Sequence, residues 1–528
     1  MPPASVTASR LAALVLAHLD GAPLERPAYA SLAATVRVLA VDGRLGAHVR
    51  LPSERELATA LELSRTTVTR AYARLVEDGW ASTQQGAGTF LRIPGDVGHA
   101  ASPLVPIEGV DGIDVDLTAA AVSCAPGLAA LIERSMADLP ALLLGKGYQP
   151  VGLLALREAV ADWYAGRGLP TSPDQIVVTS GAMAAIAVVL RARVRRGERV
   201  AVETPTYASV RSAIRGAGAG VVPLPAGVGA DGLPMVWDVE AVRAAVRAGG
   251  ARVAYVIPEF HNPTGELMTA PVRAELAAAL RDEGAVALVD ESLADLRFDA
   301  VAMPLPFGTH APDSFSVGSV SKPLWGGVRV GWVRCPTAEV ASVRAARLTL
   351  DIGASTLDQL VATEFLRSPA ELLGRRLDRL RAMRSGWLDA LGEVAPSWEV
   401  RRPTGGLALW VGLPERVAPE LRAAAARRGV AIAVGPQFTA DGSGRDRLRI
   451  PLTAELTDVP AVARTLVSAY EDVVSDGGAS AGAGAGAGAG VGVGGGMGAT
   501  AGTVTGRRGR GAGWERSSES ESPYPLIA

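Results

Sequence analysis

Lysine is by far the scarcer of the two strongly basic residue types in this 528-residue chain. Of its 52 lysines and arginines, only Lys146 and Lys322 are lysines. A lysine amine can lose its proton and bind a carbonyl compound covalently, whereas an arginine guanidinium stays protonated and cannot. Any chemistry that requires such an amine therefore has two candidates.

Lys322 lies in the segment VGSVSKPLWGGVRVGW, which begins in a β-rich run. Taken alone, a lysine there is most simply a solvated surface residue. Two other segments favour a binding site instead. Gly181 and Ala182 follow an apolar run and open a helical pattern, which is typical of a phosphate bound at helix N-terminal amides. Asp290 ends the apolar run AVALVD, where the carboxyl ends of parallel strands meet a ligand.

These residue types are the ones that pyridoxal phosphate uses in proteins. The cofactor needs a lysine amine, a carboxylate against its pyridinium nitrogen and donors for its phosphate. Tyr207 in ETPTY could stack on the ring, and Asn262 in HNPTG adds a polar group. The five histidines form no HExxH pattern and neither lysine lies in GxxxxGK[ST], so neither a metal site nor a P-loop is predicted.

Helical patterns alternate with short β-rich runs from 117 to 475, and these elements must position the residues above. The runs are QIVVTS (175–180), RVAVE (199–203), RVAYVIP (252–258), AVALVD (285–290) and SFSVGSV (314–320). Such alternation predicts an α/β domain with a largely parallel sheet. The last helical pattern is VPAVARTLVSAYEDVV.

Residues 51–92 predict two short helices followed by a two-stranded wing. Ser53 and Glu56 have the spacing of a capping box, which begins the first helix. Ser64 is a second N-cap, and the helix that follows it is expected to end near Glu77. This arrangement is typical of a helix-turn-helix, in which the start of the second helix reaches base edges.

The exposed face of that second helix begins with Arg65, Thr66 and Thr69. The glycine-rich turn at 86–88 would allow the wing to approach the phosphate backbone closely. A helical subdomain with exposed arginines is the plainer alternative, because arginine is abundant throughout the chain.

The string LPSERELA…LSRTTVTRAY…GW…GAGTF, within residues 51–92, closely resembles the winged helix-turn-helix of GntR-type bacterial regulators. The resemblance implies binding to a double-stranded DNA operator, with two copies on paired half-sites. The contacts it implies are Arg55, Arg65, Thr66, Thr69, Gln85 and Gly86.

A second resemblance covers most of the remaining chain. The segments GYQPVG, TSGAMAA, ETPTY, HNPTG, VDES, SVSK and LRIP, in this order, resemble a fold-type I, aspartate-aminotransferase-like domain. A GntR-like module fused to such a domain resembles the MocR subfamily of regulators. The expected fold is therefore multidomain, with an α-rich winged helix-turn-helix and an α/β fold-type I domain.

The resemblance assigns a role to each residue of the candidate cofactor site. It makes Lys322 the lysine that binds pyridoxal 5'-phosphate as a Schiff base and Asp290 the partner of the pyridinium nitrogen. Asn262 would bond the phenolic oxygen of the cofactor, and Tyr207 would stack on its ring. The implied phosphate contacts are Ser319, Arg329, the amides of Gly181 and Ala182, and Tyr148 from the neighbouring subunit of a homodimer.

The arginine of LRIP would bind the carboxylate of an amino compound. The resemblance assigns this role to Arg449, and Arg447 is a second candidate two residues away. One departure concerns the segment after Asp290, where the family usually has a tyrosine and this chain has Glu291, Ser292 and Leu293. One lost hydrogen bond costs on the order of 1 kcal/mol, so cofactor binding is expected to survive while turnover is less secure.

Composition divides the chain into four parts. We expect a winged helix-turn-helix at 1–92, a Pro/Gly-rich linker at 93–116, the aminotransferase-like domain at 117–475 and a Gly/Ala-rich tail at 476–528. The tail is predicted to be disordered, because glycine at this density cannot offset its ordering entropy by burial.

Charge and cysteine usage suit a protein of the cell interior. The formal net charge is −2, so the chain is not basic throughout, although a small module could still bind nucleic acid. The two cysteines, Cys124 and Cys335, are too few for a disulfide framework. No apolar run of about 18 residues free of charge and glycine occurs, so we expect a cytoplasmic protein without a membrane span.

The sequence thus predicts a dimeric regulator that binds DNA and senses pyridoxal 5'-phosphate, alone or with an amino-acid-like effector. A pyridoxal-phosphate-dependent aminotransferase with an accessory DNA-binding module is the alternative. A domain that has lost the cofactor and serves only for dimerisation is a third.

Overall fold

The computed structural model describes most of the chain up to residue 483. The described residues are 5–19, 23–41, 45, 49–84, 88–92, 113–125, 127–225, 227–228, 234–235 and 237–483. The chain divides into a compact unit, Met1–Gly477, and a remainder, Gly478–Ala528, of which only the backbone of a helix end is described. Within the described residues, none of the helices combines the length and the apolar character that crossing a membrane requires.

The N-terminal module contains four helices and a two-stranded wing. Their bounds are α1 Ala8–His18, α2 Ala28–Val41, α3 Glu54–Ala60, α4 Arg65–Glu77, β1 Ala81–Gln84 and β2 Gly88–Leu91. The two strands pair antiparallel, with Ala81 opposite Leu91. Helices α3 and α4 form the helix-turn-helix that the sequence predicts.

Local hydrogen bonds explain where α3 and α4 begin. The Ser53 hydroxyl accepts from the Glu56 amide at 3.3 Å, and the Glu56 carboxylate accepts from the Ser53 amide at 3.0 Å, which completes the capping box. The Ser64 hydroxyl accepts from the Thr67 amide at 3.1 Å. Both predicted caps are confirmed, and α4 ends at Glu77 as expected.

The core of this module lies between α4 and the other three helices. Val68, Ala71, Tyr72 and Leu75 of α4 are buried and belong to one apolar cluster. The same cluster includes residues of α1, α2 and α3. The opposite face of α4 is therefore free to contact DNA.

Within the described residues, the larger part of the chain contains three further sheets, two large ones and a short two-stranded one. Its strands are β3 Val115–Leu117, β4 Ile176–Thr179, β5 Arg199–Glu203, β6 Gly220–Leu224, β7 Gly227–Val228, β8 Pro234–Met235, β9 Val253–Val256, β10 Val286–Asp290, β11 Phe315–Ser319, β12 Gly331–Arg334, β13 Glu399–Val400, β14 Ala408–Gly412, β15 Val430–Val434 and β16 Arg447–Pro451. Short strands β7 and β8 pair with each other.

The helices of this part cover the sheets. They are α5 Leu128–Ser135, α6 Leu139–Leu142, α7 Leu154–Gly166, α8 Ala182–Arg193, α9 Ala208–Gly216, α10 Val239–Gly249, α11 Ala270–Asp282, α12 Val340–Leu348, α13 Thr356–Arg367, α14 Ala370–Val394, α15 Ala418–Arg427 and α16 Val459–Ala483.

The central sheet has seven strands in the order β4-β12-β11-β10-β9-β5-β6. All run parallel except β12, which is antiparallel to both its neighbours. Side chains alternate between the two faces, so Val200 and Leu288 pack in the cluster that contains α8 and α9, while Ala201 and Val289 pack in the cluster that contains α10 and α11. The largely parallel α/β sheet predicted from the sequence is confirmed.

A second sheet has five strands in the order β13-β14-β16-β15-β3. Strand β3 runs parallel to β15, and the other pairs are antiparallel. Its apolar residues pack against Trp387 of α14 and Leu466 of α16. The sequence did not separate this sheet from the first, because its strands come from opposite ends of the domain.

Two observed elements extend past the predicted domain boundaries. Strand β3 begins at Val115, inside the predicted linker at 93–116, and residues 93–112 of that linker lie outside the described residues. Helix α16 runs to Ala483, into the predicted tail at 476–528, and the rest of the tail lies outside the described residues.

Candidate functional site

The carboxyl edge of the central sheet carries a cavity. Parallel strands end at the same edge, so the segments that follow β4, β10 and β11 meet there. Six of the residues predicted from the sequence line this cavity: Ala182, Tyr207, Asn262, Asp290, Lys322 and Arg449. They come from both sheets and from the loops between them.

Lys322 follows β11 by three residues and is half-buried. Its Nζ donates to the Ala120 carbonyl oxygen at 2.9 Å. Burial of the ammonium, together with the nearby charge of Arg449, lowers the pKa of Lys322 from 10.5 to about 8. A lysine with such a pKa is partly neutral near neutral pH and can act as a nucleophile. Lys146 is exposed and does not line the cavity.

Asp290 is held by two donors. The Tyr255 hydroxyl donates to its Oδ2 at 2.7 Å, and the Ser292 amide donates to its Oδ1 at 2.9 Å. Both bonds fix the orientation of a carboxylate that is almost completely buried at the cavity wall.

Tyr255 is a site residue that the sequence analysis missed. It lies on β9, next to β10, and is fully buried. Burial, followed by the charge of Asp290, raises the pKa of Tyr255 well above its ordinary value. The sequence pattern that could have indicated Tyr255 is a tyrosine inside the apolar run RVAYVIP. A buried tyrosine hydroxyl usually has a hydrogen-bond partner.

The start of α8 lies beside Arg329. Gly181 precedes the helix with a φ of +99°, and the guanidinium of Arg329 donates to the Ser180 carbonyl oxygen at 3.1 Å. A Cβ atom on Gly181 would lie 2.7 Å from Nη2 of Arg329, so only glycine leaves room for this contact. Free helix amides next to a guanidinium are suited to an anion such as phosphate.

Ser319, another predicted phosphate contact, lies deeper. Its hydroxyl is 2.9 Å from both the Val330 carbonyl oxygen and the Ser321 hydroxyl. It is buried and does not line the cavity. A role in phosphate binding would require exchange of one of these bonds, so that assignment stays a prediction.

Arg449 and Arg447 have different surroundings. Arg447 pairs with Glu399 at 2.9 Å, away from the cavity. Arg449 is fully buried, lies 4.9 Å from the centre of the Phe438 ring and donates to the Thr118 carbonyl oxygen. Among the described residues, its Nε and Nη1 have no hydrogen-bond partner.

Burial lowers the pKa of Arg449 to about 10. A buried cation with unpaired donors is costly unless an anion compensates it. Of the two candidate arginines, Arg449 is thus the one placed to bind a carboxylate in the cavity.

The segment after Asp290 shows what replaces the missing tyrosine. Leu293 lines the cavity with an aliphatic side chain, and Ser292 lies beside it. Glu291 points elsewhere and lies 3.7 Å from Arg167 in a buried cluster. Burial raises the pKa of Glu291 to about 7. Leu293 and Ser292 therefore form the cavity wall at this point, where the family usually has a phenol.

Tyr148 does not line the cavity and is 67% exposed. It belongs to an exposed apolar patch, which we define as Leu143, Leu144, Tyr148, Leu350, Ile352 and Leu357. The two segments of this patch are joined by a hydrogen bond of 3.0 Å from the Thr356 hydroxyl to the Gly147 carbonyl oxygen.

Three of the predicted DNA contacts lie near the start of α4, and a fourth, Arg55, lies on α3. Arg55, Arg65, Thr66 and Thr69 are all exposed. Gln85 and Gly86 of the predicted wing tip lie outside the described residues. One further residue, Glu54 of α3, contacts this cluster and was missed by the sequence analysis. Its carboxylate accepts from the Thr69 hydroxyl at 2.6 Å.

The fold and the two sites together define a class of proteins, in which a winged helix-turn-helix precedes a fold-type I aminotransferase domain. Residues 28–91 match the family "Bacterial regulatory proteins, gntR family", and residues 144–462 match the family "Aminotransferase class I and II". The chain belongs to the MocR subfamily of GntR-type transcriptional regulators, which combines these two domains.

Two curated regulators and one solved enzyme illustrate the relationship. The uncharacterized HTH-type transcriptional regulator YisV of Bacillus subtilis is 26% identical over 443 residues, covering 77% of this chain and 88% of that protein. The HTH-type pyridoxine biosynthesis transcriptional regulator PdxR of Corynebacterium glutamicum is 30% identical over 385 residues, covering 70% and 80%. The α-aminoadipate aminotransferase LysN of Thermus thermophilus, solved with N-(5'-phosphopyridoxyl)-L-leucine, is 27% identical with a TM-score of 0.59, covering 69% and 94%.

Proposed function

We propose that this regulator senses pyridoxal 5'-phosphate, alone or with an amino compound, and changes its binding to operator DNA in response. The observation that carries the proposal is the cavity, in which Lys322, Asp290 and the start of α8 come together. This site occurs on the same chain as an exposed recognition helix. Sensing and DNA binding thus have separate sites.

The cavity residues fit the cofactor. Lys322 has the lowered pKa that covalent binding of an aldehyde needs. Asp290 would hold a proton on the pyridinium nitrogen, and Tyr207 and Asn262 would contact the ring and its oxygen. The start of α8 would bind the phosphate. Bound pyridoxal phosphate supplies an electron sink for amino compounds.

Arg449 supports an amino compound as a second ligand. It has unpaired donors and lines the same cavity as Lys322. A carboxylate on Arg449 would bring the amino group of an amino acid close to Lys322, which is the geometry that a sensor of a cofactor–amino acid adduct requires.

The segment that follows the linker is in contact with Arg449 and Lys322, the two cationic side chains that would bind the ligands. Arg449 donates to the Thr118 carbonyl oxygen and Lys322 donates to the Ala120 carbonyl oxygen. Ligands that engage these two side chains compete with the two bonds. Ligand binding would therefore change the contacts of the residues that connect β3 to the rest of the domain. This change would in turn affect the DNA-binding module.

A homodimer is part of the proposal. The exposed apolar patch contains six large apolar side chains, and Leu144 is 91% exposed. Apolar groups in one surface region are typical of protein–protein contacts. Burial of this patch by a second copy would place Tyr148 at the interface and would present two recognition helices to paired half-sites.

A DNA-binding assay tests the proposal. Full-length protein is titrated against the region upstream of its own gene and its neighbours, with and without pyridoxal 5'-phosphate. We expect the cofactor to change operator affinity of the wild type and of Lys146→Ala, but not of Lys322→Ala. An identical response in Lys322→Ala would refute sensing through this site. A protein without any borohydride-reducible chromophore would instead favour the dimerisation scaffold.

Enzymatic transamination is a second candidate function, because the cavity contains Lys322, Asp290, Asn262 and Arg449 together. Leu293 argues against it, since no phenol is available at that position. Steady multiple turnover of a common amino acid with a keto acid would favour the enzyme. Its absence across a broad panel would leave sensing as the function of the site.

A further inference from the structure

The start of the recognition helix α4 is in contact with a carboxylate from α3. Oε2 of Glu54 accepts from the Thr69 hydroxyl at 2.6 Å and lies 3.8 Å from Nε of Arg65. Thr69 and Arg65 are one turn apart on α4, and both are predicted to contact DNA. One carboxylate therefore touches two of the side chains on which base recognition would depend.

The position of this carboxylate is fixed by its surroundings. Glu54 is the first residue of α3, whose start is held by the capping box of Ser53 and Glu56. The Tyr72 hydroxyl of α4 donates to the Pro52 carbonyl oxygen at 2.9 Å in the buried interior. Since Tyr72 lies on α4 three residues after Thr69, this buried bond sets the distance between Glu54 and Thr69.

The hydroxyl of Thr69 has a single proton to donate. Two acceptors compete for it: the Glu54 carboxylate at 2.6 Å and the Arg65 carbonyl oxygen at 3.0 Å. The bond to the carboxylate is shorter and charge-assisted, and bonds of this kind are about twice as strong as neutral ones. The proton of Thr69 therefore points to Glu54, and only the lone pairs of its oxygen remain for DNA.

The direction of this hydrogen bond restricts which bases Thr69 can recognise in the major groove. Lone pairs accept from the amino groups of adenine or cytosine but cannot bond the acceptors of guanine or thymine. Arg65 has the opposite preference. Its Nε lies near Glu54 while its side chain is 74% exposed, so its terminal nitrogens can donate to guanine.

We propose that Glu54 is a positioning residue that sets the base preference of the recognition helix. Its carboxylate accepts the hydrogen bond of the Thr69 hydroxyl, so that Thr69 recognises an amino group of adenine or cytosine. The same carboxylate orients Arg65 towards guanine. The inference rests on the proposed binding to operator DNA and adds to it the chemistry of two base positions.

The test compares base preferences of full-length wild type, Glu54→Ala and Thr69→Val, selected from a randomised duplex library. Glu77→Ala is the matched control, because it removes one carboxylate from the far end of α4, where Glu77 pairs with Arg74 at 3.4 Å. Affinity is then measured for the selected duplex and for a scrambled one, and thermal unfolding verifies that each variant is folded.

We expect Glu54→Ala, which removes the acceptor, to lose the preference for adenine or cytosine at one position, with discrimination against the scrambled duplex falling about tenfold. Its affinity for scrambled DNA should be unchanged or higher, since a negative charge is removed from the start of the recognition helix. Thr69→Val should lose the same base preference, and adding Glu54→Ala to it should change that position no further. Glu77→Ala should behave as the wild type.

Two results would overturn the inference. If Glu54→Ala selects the same bases with the same discrimination as the wild type, Glu54 does not set the preference, while operator binding itself stands. If the wild type shows no preference for any duplex, the proposed operator binding fails, and the inference fails with it.

Discussion

Lys322 is the residue on which the proposed sensing site depends. In a chain that uses arginine at nearly every basic position, a lysine is retained at the wall of a cavity that also contains Asp290 and Arg449. Arginine could not replace it, because a guanidinium stays protonated and forms no covalent bond with an aldehyde. Lys146, which is exposed, is under no such requirement.

The two lysines should therefore respond differently to the same substitution. We expect Lys146→Arg to bind pyridoxal 5'-phosphate as the wild type does, and Lys322→Arg to lose covalent binding. Absorbance spectra before and after borohydride reduction measure the covalently bound cofactor. Covalent loading of Lys322→Arg would show that another group carries the cofactor.

The pKa of Lys322 predicts how loading depends on pH. Only the neutral amine attacks an aldehyde, and with a pKa of about 8 the neutral fraction rises as pH increases through 8. The rate of loading should thus rise with a midpoint at about pH 8 and level off above that pH. In Arg449→Met the neighbouring charge that lowers this pKa is removed, so the midpoint should move to higher pH. A wild-type midpoint near the ordinary value of 10.5 would contradict the account.

Tyr255 should affect the cofactor through Asp290. Tyr255→Phe removes the bond to Oδ2 of Asp290, and a buried acceptor without a partner costs about 1–3 kcal/mol. We expect cofactor affinity to fall at least fivefold and the absorbance of the bound cofactor to change its pH profile. Tyr164→Phe is the control, since Tyr164 is equally buried but its hydroxyl contacts Trp332 instead of Asp290. Equal effects of both changes on the pH profile would refute a specific role for Tyr255.

At the scale of elements, the backbone conformation at the start of α8 should affect the proposed binding of the ligand. Gly181 combines a positive φ with close contact to Arg329, whereas Gly197 has a φ of +90° and open space around it. An alanine at either position costs about 1–3 kcal/mol of backbone strain. Only at Gly181 does the added methyl group also displace the guanidinium.

Gly181→Ala and Gly197→Ala therefore form a matched pair. Thermal unfolding should show similar losses of stability in both, while titration with pyridoxal 5'-phosphate should show weaker binding in Gly181→Ala alone. Unchanged cofactor affinity in Gly181→Ala would mean that the phosphate binds away from this helix.

Elements with a clear local sequence pattern were predictable, and short elements without such a pattern were not. The caps at Ser53 and Ser64 depend on residues three positions apart, and both were predicted correctly. Strand β3 was placed within the linker, because its partner β15 lies more than 300 residues away and leaves no local pattern.

The same distinction applies to the sites. Residues within short motifs, such as Lys322 and Asp290, could be found from their neighbours. The contacts of Tyr255 with Asp290 and of Glu54 with Thr69 join different elements, so only the structure shows them.

At the scale of the whole molecule, the proposed binding to paired half-sites requires a dimer. Leu144 and Ile352 are 91% and 57% exposed in the exposed apolar patch. A charged residue there would be buried without a partner if a second copy covers the patch.

We expect Leu144→Glu and Ile352→Asp to shift the protein from dimer to monomer in analytical ultracentrifugation. Operator affinity should fall at the same time, because two half-sites are no longer bound together. Leu305→Glu is the control, since Leu305 is 51% exposed but contacts Gly168 outside the patch. A dimer that persists in both patch variants would assign the interface to another surface.

The central claim is that the cofactor site and the DNA-binding module are energetically coupled, and coupling between two binding equilibria is reciprocal. The most direct test is to measure the affinity of full-length protein for pyridoxal 5'-phosphate with and without saturating operator duplex. The account predicts that the operator changes cofactor affinity by the same factor by which the cofactor changes operator affinity. An unchanged cofactor affinity in the presence of a bound operator would show that the two sites are independent, which would contradict it.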